Sequence, residues 1–219
     1  MNAEYIKRLV AKATSDVGMN IFFNSYRFTM IPNEGSNILH INLTEQFQNL
    51  RKVFMVSLNK GRIQAGSEHS FNLFENFIKS YRLRIGARAW HTVVNTEPAL
   101  SYVQSMQSLG MFKKAKPNTV TFTTYPRYQN VHIFDLEKIR NQTHSGEDTT
   151  LGRNLKLELE FNNNNDITIN TPQGNPLTDT NNNPLILKRS TNPSQCVVYV
   201  YQHFTKMMNI SNKGIAVTD

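Results

Sequence analysis

The sequence predicts an all-β fold, a sandwich or barrel with few helices. Three observations lead there. Eight or nine short segments show the period-two alternation of half-buried strands, while helical periodicity is confined to a few short stretches. The strand signals follow one another without regularly intervening helices, which argues against an alternating βαβ plan. Composition is the third: of 219 residues 39% are hydrophobic and only 18% charged, with 13 Phe and 8 Tyr. An average soluble domain carries roughly 25% charged residues; here Asn, about one residue in eight, supplies the missing polarity. So much apolar side chain excludes a disordered chain, and the absence of sustained heptads excludes a coiled coil.

The elements follow in order. Residues 2–13 place Ala3, Ile6, Leu9, Val10 and Ala13 on one side of a helix and Lys7, Arg8 and Lys12 mostly on the other. From Ile21 the period becomes two: Tyr26, Phe28 and Met30 alternate with Arg27 and Thr29, and Pro32-Asn33-Glu34-Gly35 supplies a turn. Leu39, Ile41 and Leu43 mark a second strand. Thr44 is placed to cap a short helical turn carrying Phe47 and Leu50, ahead of a strand from Val53 to Leu58. Between Phe77 and Ala87 the residues Phe77, Tyr81, Leu83, Ile85 and Ala87 share one face, interrupted only by Lys79. Ser80, Arg82, Arg84 and, one step on, Arg88 take the other. A helix then runs from an N-cap at Thr96 through Pro98, with Leu100, Val103, Met106 and Leu109 expected inward and Gly110 closing it.

Lys113, Lys114 and Lys116 form a basic loop ending at Pro117, and strand signals resume at Val120–Thr123 and Val131–Leu136. The clearest strand is Leu155, Leu157, Leu159 and Phe161 alternating with Lys156, Glu158 and Glu160, which predicts one dry and one wet face. An Asn run at 162–165, a short strand at Ile167–Ile169 and a Pro/Asn/Thr/Gly-rich surface loop from Asn170 to Asn183 follow. Cys196 to Ile210 reads as one long strand or a bent pair, and Ile215–Val217 as a terminal strand. The division expected is an N-terminal helical arm, residues 1–18, and one β domain, residues 19–219.

No apolar run approaches the ~18 residues of a membrane helix, and MNAEYIKRLVAK lacks the apolar core of a secretory signal, so no membrane insertion and an intracellular, reducing site of synthesis are expected. The single cysteine, Cys196, allows neither an internal disulfide nor a thiolate cluster, and its place in an apolar strand predicts an inert thiol. Six histidines (His40, His69, His91, His132, His144 and His203) show no metal-ligand spacing. No nucleophile elbow or phosphate-binding glycine loop is present. Asp135 with Glu137, and Glu147 with Asp148, are expected to be solvated carboxylates. No catalytic residue, metal site or cofactor is predicted. The net charge of +8 favours an acidic partner or polyanion. Arg82, Arg84, Arg88, Lys113, Lys114 and Lys116 are the candidate face, either for nucleic acid, with Tyr125, Arg127 and Tyr128 as stacking groups, or for subunit contacts.

Two stretches, read together, carry a resemblance. One runs from Phe71 to Gly110, where Tyr81-Arg82-Leu83-Arg84-Ile85-Gly86 leads into the Pro-started helix containing Tyr102. The other runs from Phe134-Asp135-Leu136-Glu137-Lys138-Ile139 through His144-Ser145-Gly146-Glu147-Asp148-Thr149 to Leu155–Phe161, closing with Val197–Phe204 and Gly214–Val217. This order resembles the C-terminal jelly roll of double-jelly-roll viral major capsid proteins, particularly those of virophages and Polinton- or adintovirus-like elements, over about two-thirds of the chain. The resemblance implies an antiparallel jelly-roll β-sandwich with one or two short helices besides the N-terminal one. It also implies contacts with itself or related subunits through loops and edges, as trimers or pentamers of an icosahedral shell, and neither catalysis nor cofactor. The implied location is the virion, after synthesis in the cytoplasm or nucleus of a host cell. The chain is about half that family's usual length, which leaves open a single-jelly-roll capsid or penton-like protein, a partner sandwich on another chain, or a fragment. The alternative function is a nucleic-acid-binding β-barrel.

Overall fold

The computed structural model describes residues 3–64, 77–95, 98–109, 131–139, 142, 145–150, 153–161, 167–168, 175, 178, 182, 186–187 and 193–218. Its elements are α1 (Ala3–Ala13), β1 (Met19–Pro32), β2 (Ile38–Leu43), β3 (Leu50–Asn59), α2 (Lys60–Gln64), β4 (Ile78–Ile85), β5 (Arg88–Asn95) and α3 (Pro98–Ser108). They continue with β6 (Val131–Asp135), β7 (Leu155–Phe161), β8 (Ile167–Thr168), β9 (Ile186–Leu187), a 3₁₀ turn (Pro193–Gln195), β10 (Cys196–Ser211) and β11 (Gly214–Thr218). The strand expected at Val120–Thr123, Tyr125, Arg127 and Tyr128, the three lysines 113, 114 and 116, and most of the Asn-rich loop lie outside the described residues. Among the described residues no helix is long and apolar enough to cross a membrane.

The pairing has one rule. β1 pairs β10, β2 pairs β7, β3 pairs β6 and β4 pairs β5, all antiparallel. With β10 taken as the eighth strand, partners always sum to nine, so the chain is a long hairpin wrapped back on itself. Two further ladders, β10 with β3 and β7 with β4, join the pairs into sheets of order β1-β10-β3-β6 and β2-β7-β4-β5. That is a jelly roll. β11 extends the first sheet by pairing with the end of β10.

The core fills the gap between the sheets. Ile41, Leu157 and Leu83 form one buried row across β2, β7 and β4, and Met55, Val198, Val200 and Phe134 face them from the other sheet. The alternation of β7 is reproduced residue by residue: Leu155, Leu157, Leu159 and Phe161 are buried and the charged residues between them half-exposed. The interruption at Lys79 is a register shift between Ile78 and Ser80. It lets both of those residues be buried while Lys79 reaches Glu160 Oε1 at 2.6 Å.

Three local expectations are corrected. Residues 44–49 form no helical turn. Phe47 instead accepts a backbone bond from Thr149 N (2.8 Å) and donates to Thr149 Oγ1 (2.8 Å), and Leu50 exchanges both backbone bonds with Glu147 at 2.9 Å. A partner about a hundred residues away in sequence thus takes the donors that a helical turn would have used. In α3, Met106 is buried as expected, but Leu100, Val103 and Leu109 are exposed and Ser101 and Ser105 are inside. The helix follows edge strand β5 and docks on edge strand β6, where the groups to be satisfied are polar. Ser101 Oγ lies 3.0 Å from His132 Nδ1, and Ser105 Oγ donates to Val131 O at 2.5 Å. Third, Arg88 is not on the strand of Arg82 and Arg84. Gly86, at φ 59°, turns the chain first, and Arg88 opens β5 opposite Ile85, a strand that periodicity in this stretch does not announce.

The clip between residues 47–50 and 145–150 depends on Gly146. Its N–H donates to Asn49 Oδ1 at 2.7 Å, and a Cβ there would sit 2.5 Å from the Leu50 carbonyl oxygen and 2.8 Å from its carbon. Backbone cannot yield cheaply, so Gly146→Ala is expected to lower stability by about 1–3 kcal/mol, read as a shift in urea midpoint at unchanged m-value.

Candidate assembly surface

The arginine face is built by β4 and β7. Because Tyr81, Leu83 and Ile85 point inward, Arg82 and Arg84 point out, next to Lys156, Glu158 and Glu160 of the neighbouring strand. Arg84 Nε lies 2.9 Å from Glu158 Oε1, and Lys156 Nζ lies 3.8 Å from the same oxygen. The hydrogen bonds of Lys79 and Ser80 hold the Glu160 carboxyl below its usual pKa. Arg88 is separate: it stands on the side of Ile85 and Trp90, its guanidinium 5.3 Å from the Trp90 ring. This is a laddered, mixed-charge face and not an unbroken basic groove. Binding of single-stranded DNA measured at 50 and 200 mM salt is therefore expected to show a shallow slope, of fewer than about two counterions released.

The opposite sheet presents a surface that strand periodicity alone does not reveal. Residues paired across strands share a face, so the register gives rows on its outer side: Pro32, Val197 and Leu58; Met30, Tyr199, Val56 and Val131; Phe28, Tyr201, Phe54 and Ile133. All are apolar or aromatic. Toward β3 and β6 the rows are covered, with Ile63 of α2 packed against Val56, Leu58, Val197 and Tyr199. Toward β1 they open to solvent: Tyr26 is 62%, Met30 55% and Phe28 48% exposed. The rings are ordered on one another, Phe28 lying 5.5 Å from Tyr199 and 5.1 Å from Tyr201, and Tyr26 stacked on His203 at 4.7 Å. The alternation in β1 is real, but its aromatic set faces away from the core. A signal existed in the run Cys196-Val197-Val198-Tyr199-Val200-Tyr201, which does not alternate and so marks a strand apolar on both faces.

Below the aromatic rows the sheet turns ionic. Arg51 Nη2 meets Glu137 Oε1 at 2.8 Å, and Lys52 Nζ lies 3.8 Å from Asp135 and 3.9 Å from Glu137. Lys138 Nζ is 3.4 Å from Glu147 Oε1. Glu137 and Glu147 are expected to be solvated; instead Glu147 is buried, the Glu137 side chain is only 4% exposed, and both are ion-paired. Glu147 lines a cleft of about 530 Å³ with Asn49, Lys138, Arg153, Phe22 and Met207, where cations and carboxylates alternate. In the same cleft the amide and hydroxyl of Thr150 hold Asp148 below its usual pKa.

The histidines divide by burial. His40 is exposed on β2. His132 is sealed between α3 and the core, its ring 4.3 Å from Tyr81, and burial lowers its pKa to about 3. His203 is lowered to about 4, by burial first and then by Arg51 and Lys52. Both are neutral at pH 7. His69, His144 and the side chain of His91 lie outside the described residues. Among the described residues no three metal-ligating side chains converge. Cys196 is a buried free thiol.

No protein-family model and no curated protein sequence matches the chain. Solved structures do. PBCV-1 VP54, in a crystal structure fitted into a cryo-EM reconstruction of the virophage Sputnik, aligns with all of this chain at a TM-score of 0.61 and 12% identity. A quasi-atomic structure of the PBCV-1 virus capsid aligns over the same full extent at 0.60 and 11%. The chain shares the jelly-roll fold of these structures. The chain spans about half the length of those proteins, 55% in each case. The aromatic rows lie on the outside of the sheet holding β1 and β10, and the arginine face on the outside of the other sheet.

Proposed function

We propose that this chain is a structural protein of a viral capsid, one jelly-roll unit of an icosahedral shell, located in the virion and made inside the host cell. The observation that carries the proposal is the alignment of the whole chain, at TM-scores of 0.61 and 0.60, with 55% of the length of capsid structures only 12% and 11% identical to it. The aromatic rows on β1 and β10 support it, because a monomeric protein rarely exposes a contiguous apolar patch without a partner for it. Residues 1–18 are the arm and 19–219 the sandwich in this reading. Arg82 and Arg84 then serve subunit contacts, since carboxylates already stand between them and their neighbours; Arg88, Lys113, Lys114 and Lys116 are assigned to further contacts or to packaged nucleic acid.

Native mass measurement and negative-stain imaging at neutral pH test this. Trimers, pentamers or closed particles are the expected result. A monodisperse monomer across protein concentration and salt overturns it.

A further inference from the structure

β1 is a long edge strand whose protection, among the described residues, is limited to Pro32 at its end and the single inward-facing charge of Arg27. It runs fourteen residues, Met19–Pro32, and pairs with β10 at every position without a register shift. Natural edges are shortened, bulged, or seeded with lysine and proline to prevent chance pairing. Between Met19 and Ile31 there is no Lys, no Pro and no Gly, and Arg27 is the one charge. Among the described residues no strand pairs the other edge of β1. By contrast β2 and β11 span six and five residues, and β6 is flanked by α3.

An open ladder edge accepts one shape of partner, an extended backbone presenting N–H and C=O groups at the same spacing. We propose that β1 pairs antiparallel with β1 of a second copy about a twofold axis, joining two sheets into one continuous sheet. A twofold contact brings the same patch from both copies, and the near absence of charge on β1 makes it self-compatible. The single exception excludes one register. An axis at Arg27 would oppose two guanidinium groups, so the axis falls elsewhere between Phe23 and Met30. Pairing there also extends the aromatic rows, adding Tyr26, Phe28 and Met30 of one copy to those of the other. The inference rests on the capsid reading for the expectation of self-association, but it names a contact that the reading does not require.

The only native thiol, Cys196, is buried, so introduced cysteines report cleanly. Single cysteines placed in turn from Phe23 to Met30 are oxidised and analysed by non-reducing gel. Cα atoms opposed across an antiparallel pair stand about 4.5–5.5 Å apart, within disulfide reach. The expected result is one maximum of disulfide-linked dimer, falling away on both sides and not centred on Arg27→Cys. Two variants placed symmetrically about the maximum should then cross-link when mixed. Adjacent N–H groups of a strand point to opposite edges, so of Ser25→Pro and Tyr26→Pro one loses only the outward donor. That variant should keep a native far-UV spectrum while losing at least tenfold in self-association. Assemblies that form without any β1 cross-link overturn the β1 contact and leave the capsid reading standing. Cross-linked dimers that never grow into larger forms support the contact and count against the capsid reading. A monomer at every concentration overturns both.

Discussion

Acidification from pH 7 to pH 5 is expected to remove about 4 kcal/mol of folding stability, half of it through His132 and half through His203. In the unfolded chain both titrate near 6.5; in the fold they are lowered to about 3 and about 4. The sign follows from which state binds the proton. Below pH 6.5 the unfolded chain takes up protons that the folded chain refuses, so each histidine costs about 1.4 kcal/mol per pH unit until its folded pKa is reached. Their stabilising contribution is present above pH 6.5 and is lost as the pH falls toward 4 and then 3. The causes differ. His132 is enclosed by Tyr81, Ser101 and the core, with Nε2 lacking any hydrogen-bond partner, so burial alone opposes the charge. His203 lies under Tyr26 and faces Arg51 and Lys52, whose repulsion adds to burial, while Asp135 opposes them weakly. Against the roughly 5–15 kcal/mol that holds a typical domain folded, the loss is large. Urea midpoints at pH 7, 6 and 5 measure it, and His132→Gln should halve the slope. A midpoint that does not move between pH 7 and 5 would refute the assignment.

Much of the architecture is legible in the residues because its physics is local. β7 announces itself through strict alternation, and β10 through a long apolar run. The turn at Asn33 is legible as well, since its side-chain oxygen accepts from the amides of Gly35 and Ser36, a reach that only a short polar side chain makes. What escaped depends on distant partners. Phe47 and Leu50 lie in extended backbone and not in a helical turn because Thr149 and Glu147 meet them from across the chain. The apolar residues of α3 and β1 show a face but not a direction. In α3 the polar edge of β6 selected the serines, and in β1 the sheet's position at the border left Tyr26, Phe28 and Met30 outside. The arginine ladder was visible as alternation, but its neutralisation by Glu158 required knowing that β7 lies beside β4.

Two core substitutions should move stability in opposite directions, and the contrast tests the packing directly. Leu157 lies in the middle of β7 with Ile41 on one side and Leu83 on the other, and no part of it reaches solvent. Both sheets are anchored by paired strands around it, so the site cannot collapse to fill a void. Leu157→Ala is therefore expected to cost about 3–5 kcal/mol, the loss of apolar transfer plus an unfilled cavity. Gln202 occupies the inner side of β10 opposite Val53, fully buried, and neither its amide nitrogen nor its amide oxygen has a hydrogen-bond partner. Such a group loses its hydration on folding without recovering bonds, which costs about 1–3 kcal/mol. Gln202→Met keeps nearly the same length and removes the two polar atoms, so it should raise stability by about 1–2 kcal/mol. Chemical denaturation of both variants at pH 7 checks the pair. If Gln202→Met proves as damaging as Leu157→Ala, the amide is bonded in solution, and the inner face of β10 is wetter than a sealed sandwich allows.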